Sequence, residues 1–216
     1  MPDLTAFLAF GVAVFVMQVT PGPDMMLILG RGVGQGRRIA LCTMLGMTLL
    51  AGLVQLPLLV LGVASLLYAS PVAFTLLQWA GAAYLLWLGV RLIWKSAHTR
   101  PETAGTRRSA AWPAMREGMI NNLINPKPLL FMFAFLPQFV DPGAGPVGPQ
   151  LLMLGILQKL SGVLVLGSAA LASGAVGGWL ARRPGWLAWQ ERFAGAVMIV
   201  LGIRLLMSGD ARPAPS

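Results

Sequence analysis

One aspartate and two lysines lie where a charge is out of place. Asp24 closes the stretch Thr20-Pro21-Gly22-Pro23-Asp24, Lys127 sits inside Asn125-Pro126-Lys127-Pro128, and Lys159 follows Gln158 deep in an apolar run. Proline removes a backbone donor and clashes with the preceding turn, so each proline-rich stretch should open a helix. Pro21, Gly22 and Pro23 do so in the first stretch, Asn125 and Pro126 in the second. Freed amides and carbonyls of this kind can bind the carboxylate and ammonium of a small zwitterion. Asp24 and Lys127 could pair with each other or hold opposite ends of a substrate. Two structural kinks with snorkelling side chains are the bland alternative. Lys159 lies too deep to snorkel easily, and a place on a central cavity stays open for it.

The surroundings make these charges expensive. Of the 216 residues 56% are hydrophobic and 11% charged, and the mean hydropathy is +0.73. A soluble domain carries about 25% charged residues, so water is not the main solvent. The chain reads as an all-α integral membrane protein in contact with lipid. An ionisable residue within a span is a functional candidate by default. The net charge of +9 does not point to nucleic acid, because the basic residues cluster between apolar runs, which marks membrane topology. The single cysteine, Cys42, excludes an internal disulfide and any thiolate metal cluster. The start Met1-Pro2-Asp3 lacks a positive n-region, so the first apolar run is expected to stay in the mature protein.

A span needs ~20 mainly apolar residues. Residues 4–30 form the first. Residues 39–90 carry no charge and hold two more, with a turn at Tyr68-Ala69-Ser70-Pro71. Residues 118–140 and 149–181 carry one charge each, and a sixth helix is expected over about 185–207. The linkers after spans one, three and five hold 12 of the 16 basic residues, so these linkers face the cytoplasm. Both termini then lie outside, provided the first span crosses fully.

The third and sixth spans resemble each other. Ala80-Gly81-Ala82 with Leu88-Gly89-Val90-Arg91-Leu92 matches Ala194-Gly195-Ala196 with Leu201-Gly202-Ile203-Arg204-Leu205, at offsets of 114 and 113. Thr20-Pro21 falls opposite Leu136-Pro137 at an offset of 116. Three spans then repeat as three, and an odd number inverts the second copy. The expected architecture is one transmembrane domain over 1–207, with repeat one at about 4–95, a cytoplasmic linker at 96–117, repeat two at about 118–207 and a disordered tail at 208–216. Inverted repeats place a secondary transporter's substrate site where the halves meet. Small residues from Gly167 to Gly178 should let another helix approach closely, within the chain or in a homodimer.

Other chemistries find little support. Gly30-Arg31-Gly32-Val33-Gly34-Gln35-Gly36-Arg37-Arg38 lacks the strand a phosphate loop needs and reads as a flexible basic loop. His98 lies in a linker. No metal-binding pair, nucleophile elbow or ATP-binding loop is visible, so no cofactor is expected and any uphill transport must run on an ion gradient or membrane potential.

Thr20-Pro21-Gly22-Pro23-Asp24, Gly36-Arg37-Arg38 and Gly81-Ala82-Ala83-Tyr84-Leu85 with Gly89 and Arg91 form a recognisable series. Asn122-Leu123-Ile124-Asn125-Pro126-Lys127-Pro128, Phe131 and Phe135-Leu136-Pro137-Gln138-Phe139-Val140-Asp141-Pro142 continue it in order. The chain thereby resembles the LysE/RhtB family of amino-acid exporters over nearly its whole length. The resemblance implies a bacterial inner-membrane protein that exports amino acids on the proton motive force. It assigns functional weight to Pro21, Gly22, Pro23, Asp24, Asn125, Pro126 and Lys127. Some members that export basic amino acids carry intramembrane aspartates where this chain reads Gly46-Met47-Thr48-Leu49-Leu50-Ala51-Gly52 and Leu129-Leu130-Phe131. A neutral substrate of the threonine, homoserine or leucine type is therefore expected. Lys159 departs from the family pattern. A metal-cation exporter, with only Asp24 as an acidic ligand, a non-transporting partner subunit and an intramembrane enzyme are the weaker readings.

Overall fold

A computed structural model describes residues 4–20, 22–63, 65, 70–95, 110–181 and 184–207. Pro21, most of the turn before Pro71, His98 with residues 96–109, and the tail from 208 lie outside the described residues. Every regular element among the described residues is helical. In chain order these are α1 (Leu4–Val19), α2 (Pro23–Gln35), α3 (Arg37–Val63), α4 (Pro71–Lys95), α5 (Ala111–Ile124), α6 (Pro126–Leu130), α7 (Val147–Ala181) and α8 (Pro184–Met207). After α6 the chain continues as a π-helical turn, Phe131–Phe135, and a 3₁₀ turn, Leu136–Phe139.

Three of these helices are long and apolar enough to cross a membrane. They are Arg37–Val63, Thr75–Trp94 and Val147–Ala175, with mean hydropathies of 2.1, 1.4 and 1.7. A fourth crossing arises if Phe7–Val19 and Pro23–Gln35, bent by 48°, act as one span. The stretch from Ala111 to Phe139 is cut into short helices, and α8 carries Glu191, Arg192 and Arg204. Large apolar side chains such as Leu53, Leu61, Val72 and Leu164 stand exposed on the outside, as expected of a surface that meets lipid rather than water.

The basic loop expected at 30–38 is instead helical on both sides of a single residue. Gly36, at φ 92°, alone separates α2 from α3. That conformation suits glycine, and Gly32 stays in the helix where α7 packs against it. A methyl group on Gly32 would lie 1.8 Å from Ser173 Oγ. Ser173 of α7 therefore packs within the chain. Ser70 caps the start of α4 by accepting from the Ala73 amide at 3.2 Å. Helix α3 holds π-helical turns at Gly46–Leu50 and after Pro57, where the α-helical ladder must yield.

The most extensive helix pair is α4 with α8. As residue numbers rise from Gly81 to Ile93 along α4, their partners fall from Leu205 to Gly195 along α8, so the two run antiparallel. Glycines set their separation. A methyl group on Gly89 would lie 2.6 Å from the Gly195 carbonyl oxygen, and one on Gly195 would lie 2.6 Å from that of Gly89. Gly89→Ala should therefore force the helices apart at a cost of about 1–3 kcal/mol. Gly11→Ala, which meets nothing within 4 Å, should be neutral or slightly stabilising. Thermal unfolding in detergent compares them, and equal midpoints would refute this account of the α4–α8 contact.

Candidate functional site

Where α1 stops, Thr20 still donates its amide to Val16 O at 3.0 Å, and Gly22 then runs extended before Pro23 starts α2. Asp24 falls in the first turn of α2, where the helix dipole favours an anion. The second interruption is built in the same way. Asn125 leaves the helix at φ −74°, ψ 113°, Pro126 starts α6, and the Asn125 side chain accepts from the Lys127 amide at 3.1 Å.

The two interruptions meet. Asp24 Oδ1 accepts from Asn121 Nδ2 at 2.7 Å and Asn125 Nδ2 at 3.1 Å, and its Oδ2 accepts from Asn122 Nδ2 at 2.6 Å. Three amides from the end of α5 thus hold one carboxylate from the start of α2. In return, Lys127 Nζ donates at 2.7 Å to the carbonyl of Thr20, an acceptor at the end of α1. Each interrupted helix supplies the polar partner that the other's break requires. Asp24 and Lys127 form no direct ion pair among the described residues.

A second chain of bonds leads away from the carboxylate. Gln55 of α3 donates to Asn122 Oδ1 at 3.2 Å and accepts from Lys159 Nζ of α7. Asp24, Asn122, Gln55 and Lys159 are therefore linked in one series. Asp24, Asn122, Lys127 and Lys159 also line a single cavity, with Gln18, Thr48 and Gln158 among the other polar walls. Its volume of about 30 Å³ gives room for about two waters at ~10–15 Å³ each. Gln158 is 2% exposed and its Oε1 has no hydrogen-bond partner.

Of the residues singled out from sequence, the structure brings together Gly22, Asp24, Asn125, Lys127 and Lys159 on this cavity. Pro23 and Pro126 begin α2 and α6, lie exposed and do not line it. Pro21 lies outside the described residues. Sequence reasoning missed Asn121 and Gln55 and gave Asn122 no role of its own. The usable signal was an amide side chain within an otherwise apolar run. Away from the cavity, Arg31 of α2 pairs with Glu117 of α5.

The match to the family model for LysE type translocators runs over residues 15–209. The chain belongs to that family. The translocator is therefore a transport protein and not an enzyme. An uncharacterised membrane protein of Pseudomonas aeruginosa is 33% identical over 95% of the chain and 97% of its own length. A leucine efflux protein of an Enterobacter species is 29% identical over 71% of the chain and 72% of its own length. A homoserine/homoserine lactone efflux protein of Salmonella typhi is 28% identical over 86% and 88%. No solved structure matches the translocator.

Asn125→Ala removes a donor from Asp24 and the cap of the Lys127 amide together. A hydrogen bond to a charged group contributes about 1.5–3 kcal/mol, so the detergent-solubilised variant should unfold several degrees lower. An unchanged midpoint would mean that Asn125 does not hold the network.

Proposed function

We propose that this translocator is a secondary-active exporter of small neutral amino acids or related zwitterions, of the threonine, homoserine or leucine type. It works across a bacterial inner membrane and is driven by the proton motive force. The observation that carries the reading is that the charged residues of the two interruptions, Asp24 and Lys127, face one cavity with opposite signs. A cavity with both signs on its walls suits a zwitterion. Relatives named for leucine efflux and for homoserine/homoserine lactone efflux support a small amino-acid substrate.

The architecture behind this reading is six spans in two inverted three-helix repeats, about 4–95 and 118–207, broken at the two proline-rich motifs. The linkers after spans one, three and five face the cytoplasm. The antiparallel α4–α8 pair supports the repeat. An offset of 113 residues carries Gly89 onto Gly202, Ala82 onto Gly195 and Leu86 onto Ile199. A methyl group on Gly89 would meet Ile199 and the Gly195 carbonyl, and one on Gly202 would meet Leu86 and the Ala82 carbonyl. Those contacts exchange under the same offset, as a two-fold axis requires.

Transport follows from rocking of the two halves about the cavity. A space for about two waters excludes any amino acid, so the walls must separate to admit one. Asp24 either receives the substrate ammonium or carries the coupling proton. The helix faces rich in small residues leave room for a homodimer.

Cells preloaded with dipeptides of threonine, leucine or homoserine should release the free amino acid faster when they contain the protein, and a protonophore should remove the gain. Asp24→Asn and Lys127→Ala should each abolish efflux while membrane insertion stays intact. Full efflux by both variants would sink the site assignment. No accelerated release by inserted wild type would sink the exporter reading.

A further inference from the structure

The network around Asp24 uses two lysines in different ways. Lys127 Nζ bonds a main-chain carbonyl at the end of α1 and packs close to Gly22, where a methyl group would lie 3.5 Å from it. Its ammonium completes the broken helix. Lys159 Nζ is held by the side-chain amide of Gln55 instead, and by no main-chain carbonyl of a helix break. Lys159 is also less buried than Lys127 and lines the cavity.

The adjacent residue adds a second, independent observation. Gln158 Oε1 is a buried acceptor with no donor, on the same cavity wall. A buried acceptor left unmade costs free energy, and a ligand that brings N–H groups relieves it. One wall therefore offers a cationic donor and an empty acceptor on neighbouring residues of α7. Asp24, the only acidic residue among the described residues lining the cavity, already accepts three amide donors. A second cationic group on a substrate would face two ammonium groups and find little unused negative charge.

We propose that Lys159 anchors the substrate carboxylate while the Gln158 carbonyl accepts from its ammonium, making this pair the determinant of substrate class. The site then selects small zwitterions with a free carboxylate. It rejects their amides and lactones, which lack the anion, and basic amino acids, which add a cation. This rests on the exporter reading. It goes beyond that reading by naming the group recognised and the residue that recognises it. Gln55 holds the Lys159 ammonium, and the substrate carboxylate displaces it.

The test is equilibrium binding of labelled leucine and labelled homoserine to the purified full chain in detergent. The competitors are unlabelled leucine, leucinamide, homoserine, homoserine lactone and lysine. Leucine and homoserine should compete roughly tenfold or more better than leucinamide, the lactone and lysine, the difference expected from one charge-assisted hydrogen bond. Lys159→Gln should bring leucine down to the level of leucinamide, and Lys159→Arg should keep the discrimination. Gln158→Leu should weaken leucine and leucinamide alike, since both carry the ammonium. Equal competition by leucinamide and leucine at the wild-type protein overturns the carboxylate anchor and leaves the exporter reading standing. Discrimination that survives in Lys159→Gln overturns the assignment to Lys159. Failure of folded wild type to bind either amino acid overturns both.

Discussion

The carboxylate of Asp24 is the constraint on which the rest of the structure turns. An ionised group in an apolar interior is costly unless hydrogen bonds replace its water. Three asparagine amides at the end of α5 supply those bonds. They can do so only because α2 begins, and α5 ends, at the same place. The interruption in each helix is thus the means by which the other's polar groups are satisfied. Irregular backbone within an apolar protein survives only where protein or a wet cavity covers it, and here each break faces the other and the cavity between them.

That arrangement needs a rigid reference elsewhere. The α4–α8 pair meets that need, because glycines at its crossing bring backbone against backbone and leave little slack for sliding. Packing at this closeness is what small residues provide where no hydrophobic effect drives helices together. By contrast, α3 contains a π-helical turn on the cavity, where Met47 and Thr48 line it, and a second one after Pro57. Such turns mark places where a helix is re-aimed and are frequent at functional sites. The close-packed pair and the interrupted helices therefore divide the protein into a stiff part and a deformable part.

Much of this was legible in the sequence, for physical reasons. Proline and a lone charge in an apolar run are loud signals, since both are expensive there, and they located both interruptions, Asp24, Lys127 and Lys159. The similarity of 80–92 to 194–205 pointed to the two helices that pack most extensively. The amides were quieter. Gln55 and Asn121 break no helix and carry no charge, and only three-dimensional proximity reveals that they connect the charges. Glycine misled the reading at 30–38. Gly30, Gly32 and Gly34 look like a loop in one dimension, yet all three stay helical, and at Gly32 α7 needs the missing side chain to approach. A glycine series thus stands equally for flexibility or for contact, and only the neighbouring helix decides between them.

The hydrogen-bonded series has one further consequence for transport. It runs from Asp24 on α2 to Asn122 on α5, back to Gln55 on α3, and across again to Lys159 on α7. Every bond in it joins one of the first three helices to one of the later ones. In the proposed rocking motion these bonds cannot persist while the halves separate, and each group must exchange its partner for water or substrate. A substrate with both an anionic and a cationic end can replace partners at both ends of the series at once. A ligand with only one such end would leave a buried group unpaired, at a cost comparable to a lost charged hydrogen bond. Selectivity and the conformational change would then share one origin, because the ligand that best satisfies the cavity is also the one that lets its walls part.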